Sequence, residues 1–250
     1  MAQFEGKVAL ITGAVRRTGR ATALALARDG ATVVINTRKS RDEAEQVRTE
    51  IESMGCAAMV CIADITDERA VAAMFEAVAA RFGRLDILVN NAADRSIVPF
   101  TRMTMAEWRH IVGIILDGAF LCSRAAIPFM LRNHWGRIIN IGGIGQHMPS
   151  ARFAGRAHSA AAKAGLEGLT RALAIEYAQQ GITANCVVAA RVGGERSATA
   201  GKAPNPDLMP PVGREGRPED IARAVHFLCM PGSDFITGQI LHVNGGLFLP

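Results

Sequence analysis

The sequence predicts a doubly wound α/β protein in which a seven-stranded parallel sheet is flanked by helices. Three observations predict this class. Short β-branched runs alternate with amphipathic stretches, a glycine-containing turn follows the first run, and the alternation continues to the end of the chain without an internal repeat. A chain of 250 residues, 49% hydrophobic and 20% charged, suits one such domain, which we expect to span residues 1–250.

Seven strands are predicted where apolar residues form short continuous runs, because the strands of a parallel sheet are covered on both faces. In chain order these runs are Lys7–Thr12, Thr32–Thr37, Ala57–Ile62, Ile87–Asn90, Gly136–Ile141, Thr183–Val188 and Ile240–Val243. The first two intervening helices are predicted over Arg17–Asp29 and Arg41–Met54, because Gly30 and Gly55 follow as C-terminal stops.

One segment, 191–218, breaks the alternation and is rich in glycine and proline. A loop of this length in a compact domain is typical of a lid over a binding site or of a disordered segment. We expect residues 191–218 to form a substrate lid.

Composition argues against several classes of protein. The net charge is +5, but the cations are scattered, so we expect no nucleic-acid partner. The five cysteines are widely spaced without a Cys-x-x-Cys pair, which predicts a reducing compartment and no metal site. The sequence begins without a signal-peptide pattern and lacks an uninterrupted apolar stretch of about 18 residues. We therefore expect a soluble, cytoplasmic protein with no membrane partner.

The turn after the first strand predicts a dinucleotide site. It runs from Thr12 to Gly19 and opens a helix, and Gly13 and Gly19 would permit close backbone approach to a pyrophosphate at the helix N-terminus. Taken alone, such a turn is also compatible with a simple connection between a strand and a helix.

Further motifs follow in a fixed order. Asp64 closes the third strand, the Asn90–Ala93 run closes the fourth, and Lys163 lies in the helix after the fifth. With these motifs the chain resembles the short-chain dehydrogenase/reductase family, which has the Rossmann fold, over essentially its whole length. The resemblance implies that Asp64 binds the adenine edge, Asn90 and Ala92 the adenosine side, and Lys163 the nicotinamide ribose of a dinucleotide.

The turn departs from the family pattern at one position and also bears on cofactor choice. Arg17 stands where the family usually has its middle glycine, as in some pteridine reductases, and its guanidinium could face phosphate or solvent. The second strand ends at Thr37 without the acidic residue that binds a free ribose 2′-hydroxyl. Arg16, Arg38 and Lys39 could instead surround a 2′-phosphate, so we expect NADP(H).

The chemical site retains little of the family's catalytic set. The resemblance implies a tyrosine four residues before Lys163, a serine after the fifth strand and an asparagine in a preceding helix. The sequence has Ser159, Gly143 and Ile115 at these positions. Hydride transfer to a ketone generates an alkoxide that needs a proton donor, and a serine hydroxyl is a poor acid. Ser159 is thus either a small filler beside Lys163 or, less favourably, a group that Lys163 activates.

Other ionisable side chains are expected at the mouth of the pocket. They are Asp94, Arg95, His147, Arg152, Arg156, His158, Arg191 and Glu195. A histidine can act as acid or base near neutral pH, so His158 and His147 are candidate proton donors. A histidine in a loop is, however, more often a surface or structural residue than a catalytic one.

Three functions fit these observations. The first is an NADP(H)-dependent oxidoreductase with non-standard catalytic residues, acting on a small molecule with an imine-type or conjugated group. The second is a lyase or hydrolase on the same scaffold, since a fold does not determine a function. The third is a catalytically silent NADP-binding protein. The resemblance further implies a homotetramer or a homodimer.

Overall fold

A computed structural model describes residues 2–148, 150–190, 192–193 and 209–250. In it a seven-stranded sheet has the order β3-β2-β1-β4-β5-β6-β7, and every neighbouring pair of strands is parallel. The strands are β1 (Val8–Ile11), β2 (Thr32–Thr37), β3 (Ala58–Ile62), β4 (Ile87–Asn90), β5 (Gly136–Ile141), β6 (Ile182–Ala189) and β7 (Ile240–Val243). The predicted fold class and all seven strands are confirmed.

Seven α-helices connect or flank the strands in the part of the chain that is described. They are α1 (Arg17–Arg28), α2 (Arg41–Ser53), α3 (Glu68–Phe82), α4 (Met105–Val112), α5 (Gly118–Asn133), α6 (Ala157–Tyr177) and α7 (Pro218–Cys229). The first two end one residue before their predicted ends, and Gly30 and Gly55 follow with φ of +93° and +81°. The two glycine stops therefore act as predicted.

Local sequence explains where other helices begin. The Asp67 side chain accepts hydrogen bonds from two backbone N–H groups at the start of α3. Thr104 and Glu107 form a reciprocal capping box at the start of α4. Pro218 occupies the first position of α7, where its missing N–H costs no helical hydrogen bond.

The core lies on both faces of the sheet. One layer includes Leu26 of α1, Ile51 of α2 and Val225 of α7. The other includes Phe75 of α3 and Met130 of α5. Both faces of each central strand are buried, which explains why these strands are continuous apolar runs in the sequence.

A buried carboxylate joins β1 to the start of β4. Asp86 is fully buried, accepts a hydrogen bond from the Val8 amide and is bonded by the Arg84 guanidinium at 2.7 and 2.8 Å. The Lys7 ammonium lies 3.7 Å from the same carboxylate. These contacts connect the two central strands at their amino ends.

The strand order reverses between β1 and β4. β1 continues to β2 on one side, whereas β4 continues to β5 on the other. In open α/β sheets, ligands bind outside the carboxyl ends of the strands at this reversal. We call the carboxyl ends of β1, β4 and β5 the switch-point edge.

Two further segments bear on earlier expectations. One helical stretch, Met105–Asn133, is long and apolar enough to cross a membrane, but 56% of its most apolar part is buried inside the protein, as in a core helix. Of the predicted lid, Arg191 and residues 194–208 lie outside the described residues. Val192 forms a parallel bridge with Gly216, so the described ends of the 191–218 segment lie side by side. The lid itself stays a prediction.

Candidate functional site

The turn between β1 and α1 lies at the switch-point edge and requires two of its glycines. Gly13 has φ of +63°, a conformation that favours glycine. A Cβ atom at Gly19 would lie 2.3 Å from the carbonyl oxygen of Gly13. The first turn of α1 contains no acidic residue and its N-cap side chain makes no capping hydrogen bond. The backbone N–H groups at this helix start are therefore suited to a pyrophosphate.

Side chains from two strand ends hold this turn in place. The Thr12 hydroxyl accepts hydrogen bonds from the amides of Asn91 and Ala92, at 2.9 and 3.0 Å. The Asn91 carboxamide donates to the carbonyl oxygens of Thr12 and Gly13, at 2.8 and 3.0 Å. The predicted cofactor residues Gly13 and Ala92 are thus brought together. The positioning roles of Thr12 and Asn91 were not predicted, although both residues belong to the motifs that predicted the dinucleotide site.

Arg17 adopts a conformation that explains the usual glycine at its position. Its φ is +49°, in the left-handed region. Its guanidinium donates a hydrogen bond to the carbonyl oxygen of Val192 at 2.8 Å. The sequence analysis considered phosphate or solvent as its partner and did not foresee this contact with the start of the 191–218 segment.

The three cations expected near a 2′-phosphate lie around the end of β2. Arg16, Arg38 and Lys39 are exposed, and Thr37 is buried at the strand end. The Arg38 guanidinium lies 4.0 Å from the Asp64 carboxylate. Burial raises the pKa of Asp64, but hydrogen bonds from Thr66 and the charge of Arg38 outweigh burial, so its pKa lies below the ordinary value. Asp64 therefore keeps its negative charge beside Arg38.

Asn90 is placed differently from its neighbour Ala92. Its carboxamide is buried and donates to the Ser123 hydroxyl and to the Asn140 side-chain oxygen, at 3.1 and 2.9 Å. The Asn140 carboxamide donates in turn to the Thr170 hydroxyl at 2.9 Å. The side chain of Asn90 therefore links β4 to α5, β5 and α6, and its expected contact with adenosine stays a prediction.

Lys163 lies at the centre of the expected chemical site. Its Nζ donates a hydrogen bond to the Gly142 carbonyl oxygen at 2.7 Å. Burial, followed by the positive charge of Arg95, lowers the pKa of Lys163 to about 8. A Cβ atom at Gly143 would lie 3.0 Å from the Nζ of Lys163. Gly143, which the resemblance aligns with a serine, thus adjoins the end of the lysine side chain, a contact that the sequence did not predict.

The other two family positions are also on the helices around Lys163. Ser159 lies one helical turn before Lys163 on α6 and is half-buried. Ile115 is buried within a short π-helical segment, Gly113–Asp117, between α4 and α5. Such segments occur frequently at functional sites, and periodicity in the sequence did not predict this one. The chain's one tyrosine, Tyr177, is the last residue of α6, far along the helix from Ser159.

His158 is fully buried at the start of α6. Its Nε2 lies 2.7 Å from the Ser96 hydroxyl, and its Nδ1 accepts a hydrogen bond from the Ser159 amide at 2.9 Å. An accepting Nδ1 places the proton of the neutral ring on Nε2, so the imidazole donates to Ser96. The sequence analysis missed Ser96, which no motif distinguishes. Proton donation by His158 to a substrate stays a prediction, and Ser96 is the group through which it would pass.

His147 belongs to a separate cluster one helical turn beyond Lys163. Its Nε2 lies 2.7 Å from the Glu167 carboxylate, which also accepts a hydrogen bond from Gln146. Its ring packs edge-on against His242, with centroids 4.6 Å apart, and against Phe248. Burial, followed by the charge of His147, lowers the pKa of His242. These contacts hold the ring of His147, whose catalytic role also stays a prediction.

A family profile described as "Enoyl-(Acyl carrier protein) reductase" matches residues 13–248. The match begins at the first glycine of the turn and covers the ends of β4 and β5, Lys163 and β7. The chain therefore belongs to the short-chain dehydrogenase/reductase family.

Similar proteins include several that match over nearly the whole chain. The "3-oxoacyl-[acyl-carrier-protein] reductase" of Synechocystis is 35% identical over 250 residues, covering 100% of both chains. The "3-oxoacyl-[acyl-carrier-protein] reductase FabG" of Pseudomonas aeruginosa is 38% identical, covering 98% of this chain and 99% of the relative. The "(2S)-[(R)-hydroxy(phenyl)methyl]succinyl-CoA dehydrogenase subunit BbsD" of Thauera aromatica is 38% identical, covering 97% of each.

Proposed function

We propose that this protein is an NADP(H)-dependent oxidoreductase that transfers a hydride without the usual tyrosine, to an imine-type or conjugated acceptor. The observation that carries the proposal is the surroundings of Lys163. The lysine and two glycines of the turn, Gly13 and Gly19, are retained, whereas by the resemblance Ser159 and Gly143 occupy the tyrosine and serine positions. Such a site supports hydride transfer to acceptors that need less acid catalysis than a ketone.

Two observations support binding of the dinucleotide at the turn: Gly13 and Gly19 allow the turn to pack closely against Asn91 and Ala92, and the start of α1 is free of acidic side chains. When bound, it supplies the hydride. Arg16, Arg38 and Lys39 would hold a 2′-phosphate, and Arg17 would be near the pyrophosphate. Lys163 would bind the nicotinamide ribose.

Hydride transfer at this site also requires a proton donor other than the family's tyrosine. When a hydride adds to the carbon of a neutral imine, the nitrogen gains an electron pair and takes up a proton. When it adds to the β-carbon of an α,β-unsaturated ketone, the resulting enolate takes up a proton at its α-carbon. Lys163, with its pKa of about 8, is mostly protonated at neutral pH and could deliver this proton through a water molecule. The Ser96 hydroxyl, held by His158, and the imidazole of His147 are further candidates. An iminium acceptor makes the smallest demand, because its nitrogen is already cationic.

The relatives provide the ketone substrate against which this proposal must be tested. Two of them are named as reductases of 3-oxoacyl groups on acyl carrier protein. A 3-oxoacyl thioester is therefore one arm of the test, beside an α,β-unsaturated ketone and a cyclic imine. We expect NADPH oxidation with the imine or the unsaturated ketone and at least tenfold slower oxidation with the thioester. If the thioester were reduced as fast as the imine and the unsaturated ketone, the proposal that the protein acts on acceptors other than ketones would be refuted.

Cofactor choice is tested by binding. We expect calorimetry to give at least tenfold tighter binding of NADPH than of NADH, since two or three cations face the extra phosphate. Exchanging Arg38 and Lys39 for glutamine should remove this preference, whereas Arg69→Gln, an exposed site on α3, should not. Equal affinity for the two dinucleotides would contradict the NADP assignment.

The alternatives give different results in the same experiments. A lyase or hydrolase would lack NADPH binding in the micromolar to millimolar range. A catalytically silent NADP-binding protein would bind NADPH but reduce none of the acceptors. Its Ser159→Tyr/Gly143→Ser double variant would also be inactive. A side chain at position 143 would meet only the flexible end of Lys163, so the Gly143→Ser substitution is sterically reasonable. Ketone reduction by the double variant would show that the rest of the site is intact.

Assembly and location complete the proposal. We infer a soluble, cytoplasmic homotetramer or homodimer that acts on a small molecule, from family membership and the five cysteines, none of which is in a disulfide. Light scattering of the purified protein at micromolar concentration would distinguish a tetramer or dimer from a monomer.

A further inference from the structure

One guanidinium at the amino end of the sheet is enclosed by the protein. Arg137, the second residue of β5, is fully buried. Its Nη1 donates hydrogen bonds to the carbonyl oxygens of Gly136 and Gly181, at 2.9 and 3.3 Å. Its Nε and Nη2 are also buried, and neither has a hydrogen-bond partner among the described residues. The edge of the guanidinium that carries these two nitrogens is therefore unpaired.

A second arginine of the protein shows what this edge binds when it is paired. Arg84 donates from its Nε and Nη2 to the two carboxylate oxygens of Asp86, at 2.8 and 2.7 Å. These two nitrogens form a fork that donates two parallel hydrogen bonds to one anion. Arg137 presents the same fork, but in the part of the chain that the structure describes no carboxylate accepts from it.

A buried hydroxyl lies beside this guanidinium. Thr183, which is 4% exposed, is paired in register with Arg137 across β5 and β6. Ile139 and Val187, which follow at even spacing on the same two strands, both belong to the core layer of α1 and α7. Arg137 and Thr183 therefore lie side by side on that face. The Oγ1 of Thr183 is buried without a described partner, and a hydroxyl can donate a hydrogen bond to an anion.

Groups near Arg137 do not provide a close counter-ion. The Trp135 ring lies 4.3 Å from its guanidinium carbon and offers a cation–π contact but no acceptor, and the Lys7 ammonium lies 4.1 Å from the same ring. Burial raises the pKa of Cys229 to about 12, so this thiol is uncharged. Burial lowers the pKa of Arg137 and the charge of Asp234 acts in the opposite direction, but that exposed carboxylate accepts no hydrogen bond from the guanidinium. A buried cation without a close counter-ion is strongly unfavourable.

We propose that Arg137 and Thr183 bind a small monovalent anion of the size of chloride. The Nε and Nη2 of Arg137 would donate to the ion in parallel, and the Thr183 hydroxyl would be the third donor. Because the guanidinium is enclosed, the site would exclude bulky anions. It lies at the amino ends of β5 and β6, opposite the switch-point edge, so it is independent of the proposed function.

The first test measures stability at constant ionic strength. Urea unfolding is followed in mixtures of sodium chloride and sodium gluconate, whose anion is too large for an enclosed site. Raising chloride from about 1 to about 100 mM should raise the folding equilibrium constant about tenfold, as for a ligand of the folded protein with a Kd of about 10 mM. Arg137→Met should abolish this dependence. If that variant does not fold, Thr183→Val provides the test and should weaken chloride binding about threefold.

The matched control is Thr22→Val on α1. It removes another buried hydroxyl that lacks a described partner, and it should leave the chloride dependence unchanged. Stability that does not vary with chloride would overturn the proposal. A chloride effect that persists in full in Thr183→Val and in any folded Arg137→Met protein would do the same, because the ion would then bind elsewhere.

Crystals grown in sodium bromide locate the ion directly. We expect an anomalous bromide peak at hydrogen-bond distance from Nε and Nη2 of Arg137, in the original protein and in Thr22→Val. Density without an anomalous signal at this position would identify a water molecule and refute anion binding.

Discussion

At the scale of single residues, two glycines shape the candidate site because they lack a side chain. Gly19 has no room for a side chain, because a Cβ atom there would lie 2.3 Å from a backbone oxygen that cannot move freely. Gly143 leaves space that the end of Lys163 occupies. Contact with the backbone therefore requires glycine at position 19, whereas Gly143 can be substituted if the end of the Lys163 side chain moves.

The first prediction concerns Gly19→Ala. The added methyl group must displace the Gly13 carbonyl and with it the turn that faces the pyrophosphate. We expect the Kd for NADPH to rise at least tenfold and the free energy of unfolding to fall by about 2 kcal/mol. Calorimetry and urea unfolding measure the two effects. The matched control is Gly168→Ala, inside α6 with open space around it, which should leave the Kd unchanged and raise the free energy of unfolding by up to about 1 kcal/mol, because alanine has the higher helix propensity.

The second prediction concerns the pKa of Lys163. Because its pKa is lowered to about 8, the lysine should lose its positive charge as the pH rises through that value, and NADPH binding should weaken above it. Removing the charge of Arg95 in Arg95→Gln removes one cause of the lowered pKa. We expect the midpoint of the pH profile of NADPH affinity to move to higher pH in this variant. An unchanged midpoint, or a shift to lower pH, would contradict the electrostatic coupling.

At the scale of elements, the strands were predictable and their polar cross-connections were not. β2, β4, β5 and β7 have the bounds expected from their apolar runs, because strands covered on both faces need continuous apolar sequence. The contact between Ser96 and His158 joins residues 62 positions apart, and no local pattern marks it. The partner of Arg17, Val192, is 175 positions away. Long-range side-chain contacts of this kind depend on the tertiary arrangement, which a single sequence does not specify locally.

The third prediction tests the connection between the loop after β4 and α6. We expect His158→Ala to lower the free energy of unfolding by about 2 kcal/mol, because it opens a buried space and leaves Ser96 without its partner. Ser96→Ala should cost about 1 kcal/mol, and the double variant should show a coupling of about 1 kcal/mol. Urea unfolding of the four proteins gives this cycle. Additive losses would mean that the hydrogen bond adds nothing to stability.

The same variants distinguish a structural role of His158 from a role in proton transfer. If His158 acts only by holding the loop, its variants should change turnover without changing the shape of the pH profile. Asp67→Ala provides the comparison, because it removes the cap of α3 at a cost of about 1 kcal/mol without touching the switch-point edge. A pH profile that changes in Ser96→Ala and His158→Ala but not in Asp67→Ala would favour proton transfer through Ser96.

At the scale of the whole molecule, the site depends on how the two halves of the sheet meet. The reversal between β1 and β4 creates the switch-point edge, and Asp86 secures the opposite ends of these strands. The expected site residues at the ends of β1, β4 and β5 lie at one edge because these three strands are parallel neighbours in the sheet. The 191–218 segment could not be treated in the same way, since its composition defines no element.

The fourth prediction concerns this junction. Asp86→Ala should lower the free energy of unfolding by about 3 kcal/mol, because the Val8 amide and two cations lose a buried partner. NADPH at about 100 times its Kd should restore about 2.7 kcal/mol, as for any ligand that binds only the folded protein. Thermal unfolding with and without NADPH measures both. A variant as stable as the original protein would show that these cations and the amide are adequately solvated without the carboxylate.

The position of the single tyrosine also has a spectroscopic use. Tyr177 ends α6, and its hydrogen bond with Glu176 raises its pKa. In Ser159→Tyr, the second phenol would lie one helical turn from Lys163. A phenolate there would raise the pKa of the lysine, and the ammonium would lower the pKa of the phenol, so the two groups would titrate as a coupled pair. The two phenols should therefore ionise in separate steps of an ultraviolet absorbance titration, the introduced one at lower pH. The original protein gives the blank for that titration, so absorbance at these two positions of α6 compares the electrostatic surroundings of its last residue with those of the candidate site.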